Sequence, residues 1–490
     1  MTATTKIISN CLLYLFAIML ITAIPASAIK FQSKEEIVAE IDKYVAENMR
    51  INNITGAALA IAYGEDVYYT QGYGEFSDGS DITSRTPFPI ASLSKSFTAL
   101  AVLQLAEKGL IDLDAPYTSY FPDIAPEDDR VSHITIRHLL NQTSGLNDKV
   151  NPDMTKSAQF KSLQEINNSL AIVKPANDPG EKYSYHNPNY QFLALLVEQI
   201  SGQSFSDYLR EHIFTPLGMN DTYNVSNIEE INKNAAIPQG HYLLLGKPVE
   251  KVEPAWFVDG PAGIISTAED MAKWMIAQYS AQLLPQNLLE QYHAAGQNGS
   301  YGMGWSAESD DNEGRTISHG GIFWTYKAEE TIYLDQQLGI AIMFDTGLNA
   351  FVDYSAFIRE ITQIMNGGKA ELSVVNSRSV ETVVILLIFG TILWGGYSLF
   401  RLKRSNHCTM AFPRKLIFAA IRTLLSILIL VFLSPIMSFI GGERVLPWHG
   451  IWTTMPSLII WLVVLSTVNI FILVYRCRIY YITKRGSEIE

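Results

Sequence analysis

The spacing of apolar residues changes along this chain of 490 residues, and each spacing predicts a different kind of element. Ser33 and Glu36 form a capping box before apolar positions with helical spacing, at Ile37, Val38, Ile41, Val45 and Met49. Strand-like segments follow at 57–63 and 67–71, joined by a turn at 64–66. Residues 92–300 are mainly helical in pattern, strands return at about 315–345, and a helix near 351–365 closes the domain.

Three apolar spans occupy the C-terminal part of the chain, at about 380–400, 424–440 and 458–475. Each is long enough, or nearly so, to cross a bilayer, which predicts a three-helix transmembrane tail after a linker at 371–379. Three such runs in succession disfavour buried core helices. A transporter is also disfavoured, because Arg422 is the only ionisable residue near the interior of the spans.

Residues 1–28 read as a secretory signal peptide. Lys6 precedes an apolar run from Cys11 to Ile24, and the small residues at 26–28 suit cleavage. An uncleaved anchor is the alternative. Either interpretation exports the domain that follows, at 29–370.

Basic residues set the expected orientation of the tail. The first connection, at 401–415, and the terminal segment at 476–490 are strongly basic, whereas the second connection holds only Glu443 and Arg444. Basic segments stay on the cytoplasmic side. The sequence therefore predicts a multi-pass protein of the cell membrane with its large domain extracytoplasmic and its C-terminus cytoplasmic.

The net charge argues against one class of partner, and the positions of the cysteines exclude disulfide bonds in the large domain. The chain carries net charge −13, although residues 380–490 contain eleven Lys or Arg and four Asp or Glu. The exported domain is thus strongly acidic, which argues against nucleic acid as a partner. The three cysteines, Cys11, Cys408 and Cys477, all lie outside 29–379, so no disulfide stabilises that domain.

Ser92-Leu-Ser-Lys95 places a hydroxyl and an amine three residues apart at the start of an apolar helix. Positions i and i+3 share a helix face, so the amine can reach the hydroxyl and activate it as a nucleophile. The alternative is a structural role, in which Ser92 caps the start of the helix and Lys95 is exposed to solvent. The same spacing at Ser27 and Lys30 straddles the expected cleavage site and carries no such meaning.

Two further elements follow in chain order. Tyr185-His186-Asn187 lies in a segment rich in proline, glycine and asparagine that leads into a helix, and taken alone these are ordinary turn residues. Ser318-His-Gly-Gly321 precedes a β-prone run, which places its glycines near a sheet edge; alone, His319 suits a structural role. The histidines show no metal-ligand spacing, so we expect neither a metal nor a cofactor.

With the supporting stretches 134–146, 216–219, 261–270 and 301–305, these motifs resemble the serine β-lactamase and penicillin-binding protein superfamily. The similarity is to the branch of class C β-lactamases and D-alanyl-D-alanine carboxypeptidases, and it runs from about residue 35 to about residue 365. It implies an α+β fold, with an antiparallel sheet built from both ends of the domain, flanking helices and a mainly helical insertion.

The resemblance also implies roles for residues. Ser92 would be the acylated nucleophile, Lys95 and Tyr185 would share the proton transfers, and Asn187 would position Lys95 and the substrate. The backbone N–H groups of Ser92 and of Ile322, just after Gly321, would hold the oxyanion.

Two departures from the family pattern bear on the substrate. His319 stands where typical class C β-lactamases have lysine, and Thr325 stands at the usual glycine position. A mostly neutral histidine binds a free carboxylate less strongly than a charged lysine does. We therefore expect a small peptide, amide or ester substrate, related to the cell wall, with β-lactam hydrolysis as a side activity. The alternative is a catalytically weak penicillin-binding sensor or binding protein that signals through the membrane tail.

Overall fold

In the computed structural model of the chain, the described residues are 33–153, 159–280, 282–310, 314–404, 412–440 and 444–487. The expected signal peptide lies outside them. The strands are β1 Gly56–Tyr63, β2 Asp66–Gly74, β3 Phe88–Pro89, β4 Tyr223–Asn224, β5 His241–Leu244, β6 Lys247–Glu250, β7 Ile264–Ser266, β8 Ser306–Asp310, β9 Gly314–Ile322, β10 Lys327–Tyr333 and β11 Leu338–Phe344. The helices of the large domain are α1 Lys34–Asn52, α2 Ser94–Glu107, α3 Ile136–Leu140, α4 Leu163–Asn168, α5 Asn187–Ser201, α6 Phe205–Leu209, α7 Ile228–Lys233, α8 Ala268–Ser280, α9 Gln286–Tyr292 and α10 Ser355–Met365.

The main sheet has the strand order β2-β1-β11-β10-β9-β8, so strands from both ends of the domain meet at its centre. β1 pairs antiparallel with β11, with Ala60 opposite Ala341. One face of the sheet packs against α1 and α10, and the other packs against α8 and the helical region between β2 and β8. This arrangement confirms the predicted α+β class with a mainly helical insertion.

Local sequence accounts for the element that opens the domain. The Glu36 N–H donates to Ser33 Oγ at 3.2 Å and the Ser33 N–H donates to Glu36 Oε2 at 3.0 Å, which is the predicted capping box. Asn53 ends α1 in the left-handed conformation, with φ of 54°. These two caps define the ends of α1, and its apolar face packs against the main sheet.

The C-terminal region contains α11 Ser377–Arg404, α12 Phe412–Ile440, the short α13 Trp448–Thr454, and α14 Pro456–Ser487. Helices α11, α12 and α14 are long and apolar enough to cross a membrane. They extend beyond the expected spans: α11 starts inside the expected linker, α12 starts well before residue 424, and α14 continues into the expected terminal tail. The helices are longer because charged residues that flank or interrupt the apolar runs, such as Arg401, Arg422 and Arg478, also lie in helical backbone.

The linker and α13 dock onto the large domain. The Ser377 N–H donates to Asn52 Oδ1 at 3.0 Å, which fixes the start of α11 against α1. The Ala350 N–H donates to the Thr454 carbonyl at 3.1 Å. Gly450 lies so close to Trp324 that a Cβ there would sit 2.2 Å from the indole ring. This contact brings the tail to the end of the β9–β10 hairpin.

Candidate active site

Ser92 lies in a tight turn rather than in a regular helix. A single 3₁₀ turn at Ala91–Leu93 precedes α2, and Ala91 has φ of 48°, a left-handed conformation that costs a non-glycine residue roughly 1 to 3 kcal/mol. Such strain persists only where the surrounding packing holds it, and Ala91 is buried. The turn presents Ser92 to a cavity.

Lys95 occupies the next turn, on the same face as Ser92. Its Nζ lies 3.1 Å from Ser92 Oγ and donates to the Pro261 carbonyl, also at 3.1 Å. The predicted pairing of serine and lysine is therefore present, and Pro261 fixes the direction of the amine. Burial lowers the pKa of Lys95 well below its usual value, and the positive charge of Arg444 lowers it further.

Tyr185 lies beside both groups. Its side chain interacts with Ser92, and Lys95 Nζ lies 4.7 Å from the centre of its ring. Burial raises the pKa of Tyr185 above that of a free phenol, so its hydroxyl stays protonated near neutral pH. A protonated phenol suits proton donation better than proton abstraction.

Asn187 is the first residue of α5 and lines the same cavity. Its Nδ2 donates to Asp153 Oδ2 at 2.8 Å, and Trp256 Nε1 donates to the other oxygen of Asp153 at 2.6 Å. Asp153 is fully buried, and its negative charge opposes the lowering of the pKa of Lys95. Asn187 thus holds a carboxylate that acts on Lys95 electrostatically.

His319 lies in β9 and faces the cavity. Its Nδ1 donates to the Gly320 carbonyl at 2.8 Å, which leaves Nε2 to accept from the Tyr301 hydroxyl at 3.3 Å. Burial lowers the pKa of His319 to about 3, and the nearby amine of Lys95 adds to this effect. The ring is therefore neutral near pH 7.

Gly321 and Ile322 bring the end of β9 against the turn that carries Ser92. A Cβ at Gly321 would lie 2.3 Å from the Ile90 carbonyl oxygen, so this approach requires glycine. Phe323 N–H donates to the Tyr326 carbonyl at 2.9 Å, which places Ile322 at the neighbouring, non-hydrogen-bonded position opposite Lys327. The Ile322 N–H therefore points away from β10, as an oxyanion donor must.

Glu253 holds the hairpin loop next to this site. Its carboxyl group accepts from the backbone N–H groups of Trp324 and Thr325, both at 2.9 Å, and from Thr325 Oγ1 at 2.7 Å. Burial raises the pKa of Glu253 to about 7, against the lowering effect of these hydrogen bonds. Thr325 is buried in this contact, while its neighbours Phe323 and Trp324 form an aromatic wall of the cavity.

The C-terminal tail forms part of the wall of the cavity that Ser92 lines. The cavity has a volume of about 630 Å³. Its lining from the tail consists of Met437, Ile440, Arg444, Leu446, His449, Ile451, Thr454 and Met455. The active-site region is therefore shared between the large domain and the C-terminal helices.

Arg444 and Asp148 anchor the tail beside this cavity. Arg444 Nε donates to Asp148 Oδ2 at 2.7 Å, and the Val445 N–H donates to the same oxygen at 3.3 Å. The other oxygen of Asp148 contacts His186 Nδ1 at 3.1 Å. The charge of Arg444 lowers the pKa of Asp148 against the effect of burial. A buried charge pair thus connects the tail to the residue next to Tyr185.

The structure brings together every site residue expected from the sequence. Ser92, Tyr185, Asn187, His319 and Ile322 line the cavity, and Lys95 and Gly321 lie directly behind it. Sequence reasoning missed the residues that support them, which are Asp148, Asp153, Glu253, Trp256 and Arg444. The available signal was the sparsely charged second connection, which the basic-loop rule places on the same side as the large domain.

Comparison with known proteins gives matches over the large domain and beyond it. The family model described as Beta-lactamase matches residues 41–360. Penicillin-binding protein 4* of Bacillus subtilis (strain 168) is 28% identical over 329 residues, which cover 62% of this chain and 70% of that protein. Protein flp of Staphylococcus aureus (strain MW2) is 24% identical over 463 residues, which cover 89% of this chain and 90% of that protein.

Solved structures share the fold. The D-alanine carboxypeptidase AmpC from Burkholderia cenocepacia aligns with a TM-score of 0.56 and 19% identity, over 68% of this chain and 100% of that one. The octameric penicillin-binding protein homologue from Pyrococcus abyssi aligns with a TM-score of 0.58 and 23% identity, over 68% of this chain and 78% of that one.

Proposed function

Because the chain belongs to the Beta-lactamase family, we propose that it is a membrane-anchored, extracytoplasmic serine hydrolase that works through an acyl-enzyme. The observation that carries the proposal is the 3.1 Å contact between Ser92 Oγ and the buried amine of Lys95. A nucleophile within hydrogen-bond reach of a base, with the base held by a third group, is the arrangement that covalent catalysis needs. Here Pro261 is the third group.

Acylation begins with transfer of the Ser92 proton to the neutral amine of Lys95. Burial favours that neutral form, because it lowers the pKa of the lysine. Ser92 Oγ then attacks the carbonyl carbon, and the carbonyl electrons move to the oxygen. The N–H groups of Ser92 and Ile322 stabilise this oxyanion, and one such donor is worth roughly 3 to 4 kcal/mol of barrier.

Collapse of the tetrahedral intermediate breaks the bond to the leaving group. Tyr185 gives its phenolic proton to the departing nitrogen or oxygen, and Lys95 gives the proton that it took from Ser92 to the resulting phenolate. The acyl group remains as an ester on Ser92. A water molecule then gives a proton to Lys95 and attacks the ester carbonyl. Collapse breaks the bond to Ser92 Oγ, which takes the proton back from Lys95, and the acid is released.

We infer a peptide, amide or ester substrate derived from the cell wall. The match to a penicillin-binding protein and the fold shared with a D-alanine carboxypeptidase support this class of substrate. The neutral ring of His319 disfavours the efficient carboxylate capture that a lysine gives class C β-lactamases. β-Lactam hydrolysis is therefore proposed only as a side activity.

The membrane anchor is supported by three helices, among the residues that the structure describes, that are long and apolar enough to cross a bilayer. The basic first connection and the basic terminus support a cytoplasmic location for these two segments. The second connection then lies outside, where Arg444 contacts Asp148. The predicted orientation and this contact agree.

A penicillin-binding sensor is the second candidate function. It is supported by the direct contact between the tail and the site. An acyl group on Ser92 would lie in a cavity that α12 and α13 help to line. In a sensor, deacylation would be slow and the acylated site would act on the tail.

The full-length protein in detergent micelles, treated with a short-chain activated ester and with a fluorescent penicillin, distinguishes these functions. The hydrolase predicts repeated turnover of the ester and loss of both activities in Ser92→Ala. A long-lived adduct without product release would favour the sensor. Neither adduct nor product in a protein that melts cooperatively would contradict the proposal.

A further inference from the structure

The cavity beside Ser92 contains a cation that the large domain does not supply. Arg444 lies between α12 and α13, and its side chain is 15% exposed. Its guanidinium carbon lies 5.2 Å from the ring centre of Tyr185, within the range of a cation–π contact. The cation therefore lies next to the groups proposed to perform the chemistry.

Part of this guanidinium has no partner in the part of the chain that the structure describes. Arg444 uses Nε to bind Asp148, whereas its Nη2 is buried without a hydrogen bond to any described residue. A buried charged donor left unpaired costs free energy that docking the tail alone does not require. An acceptor in the cavity would remove that cost.

The other basic groups at the site are not positioned for this task. His319 is neutral near pH 7 and already uses both ring nitrogens. Lys95 is turned toward Ser92 and Pro261, and burial favours its neutral form. Arginine keeps its charge in such surroundings, and its planar N–H groups match a carboxylate.

The acidic groups nearby define the charge of the ligand. Asp148 is paired with Arg444, Asp153 is buried behind Asn187, and Glu253 lines the same cavity. A dianionic phosphate would meet repulsion from these carboxyl groups, whereas a singly charged carboxylate needs only the one free edge of the guanidinium. The surroundings therefore favour a carboxylate over a phosphate.

We propose that Arg444 binds a carboxylate of the substrate, so that the C-terminal tail supplies a specificity-determining residue to the active site. This inference rests on the proposed hydrolase function. It assigns to Arg444 the carboxylate recognition that His319 does not provide. It also gives the contact between the tail and the site a role in choosing substrates.

Matched pairs of esters test this role in the full-length protein. In the first pair, the phenylacetyl ester of 3-hydroxybenzoic acid carries a carboxylate on its leaving group. Its neutral partner is the same ester with that carboxylate converted to a methyl ester. In the second pair, the mono-4-nitrophenyl ester of adipic acid carries a carboxylate on its acyl group. Its neutral partner has that carboxylate converted to a methyl ester. The wild-type protein should prefer the charged member of at least one pair by roughly 10- to 100-fold in kcat/KM, the range expected for a hydrogen bond to a charged group.

Variants separate carboxylate binding from tail docking. Arg444→Gln should abolish the preference, mainly through KM of the charged ester, and Arg444→Lys should retain part of it. Lys149→Gln is the matched control, because it removes one positive charge from an exposed residue beside Asp148. A purely structural role for Arg444 would lower the rates of charged and neutral esters equally and would overturn the proposal.

The possible failures are distinguishable. Absence of Ser92 labelling by a fluorophosphonate in the wild-type protein would overturn the proposed hydrolase function itself. Normal labelling with no charge preference in either pair would overturn only the role of Arg444. If Arg444→Gln does not fold, the wild-type preference and the behaviour of Arg444→Lys still decide the question.

Discussion

Arg444 and Asp148, 296 positions apart in the chain, form a 2.7 Å charge pair between the C-terminal tail and the large domain. Asp148 also contacts His186, which neighbours Tyr185. The pair therefore links the segment after α12 to the residues proposed to transfer protons. Removing one member of a buried pair leaves an uncompensated charge, at a cost of about 3 to 5 kcal/mol.

Asp148→Asn should loosen the tail from the large domain. We expect faster amide hydrogen exchange in residues 444–455 than in the wild-type protein. Asp335→Asn, which breaks the exposed pair with Arg315, is the control and should leave that segment unchanged, because exposed pairs contribute little. Equal exchange in Asp148→Asn and wild type would show that this pair does not hold the tail.

The pH dependence of kcat/KM for a neutral ester should report Lys95. Since the neutral amine is the base, activity should rise with pH through the pKa of Lys95 and level off well below 10.5. Arg444 lowers that pKa, so Arg444→Gln should move the acid limb to higher pH. An acid limb near the pKa of a free lysine would contradict the assignment of Lys95 as the base.

Gly321→Ala should lower the activity of the protein. The added Cβ would meet the Ile90 carbonyl at 2.3 Å and separate Ile322 from the turn that carries Ser92. We expect at least a tenfold loss in kcat/KM and a lower melting temperature, because overpacking typically costs about 1 to 3 kcal/mol. Gly396→Ala, where a Cβ meets open space, serves as the control. Full activity in Gly321→Ala would rule out the close approach.

Glu253→Gln should become relatively more stable than wild type as the pH rises. The pKa of Glu253 is raised from 4.5 to about 7 in the folded state, so folding favours its protonated form. Its contribution is present below about pH 4.5 and is lost as the pH rises through 7. Glutamine resembles the protonated acid, so melting temperatures should diverge between these pH values. Parallel curves would contradict a raised pKa.

Reporter fusions test the proposed orientation. A fluorescent protein that matures only in the cytoplasm should fluoresce when fused after residue 490, and alkaline phosphatase at the same position should be inactive. As a control, Lys149→Cys should react with a membrane-impermeant maleimide in intact cells, because residue 149 is exposed on the large domain. Active phosphatase at the C-terminus would contradict three crossings.

Residues that act through local spacing were predictable from the sequence. Ser92 and Lys95 meet because one helical turn separates them, and Ser33 with Glu36 caps α1 for a similarly local reason. The family resemblance added Tyr185 and Asn187, which no spacing rule connects to Ser92. Together they gave the fold class and the expected site.

Contacts that depend on docking between distant segments were not predictable in this way. Asp153, Glu253 and Trp256 lie in irregular segments, where no periodicity marks a residue as buried. The strained φ of Ala91 is set by packing and leaves no trace in composition. Arg444 was noted only as part of a weakly charged connection, because its role depends on where α12 ends relative to the large domain.

Mapping the covalent adduct tests the central claim most directly. The full-length protein is labelled with a fluorophosphonate, digested, and analysed by tandem mass spectrometry, with Ser92→Ala treated in parallel. We predict one modified peptide, with the added mass on Ser92, and no modification in the variant. An adduct on another residue, or none in a folded wild-type protein, would contradict the account.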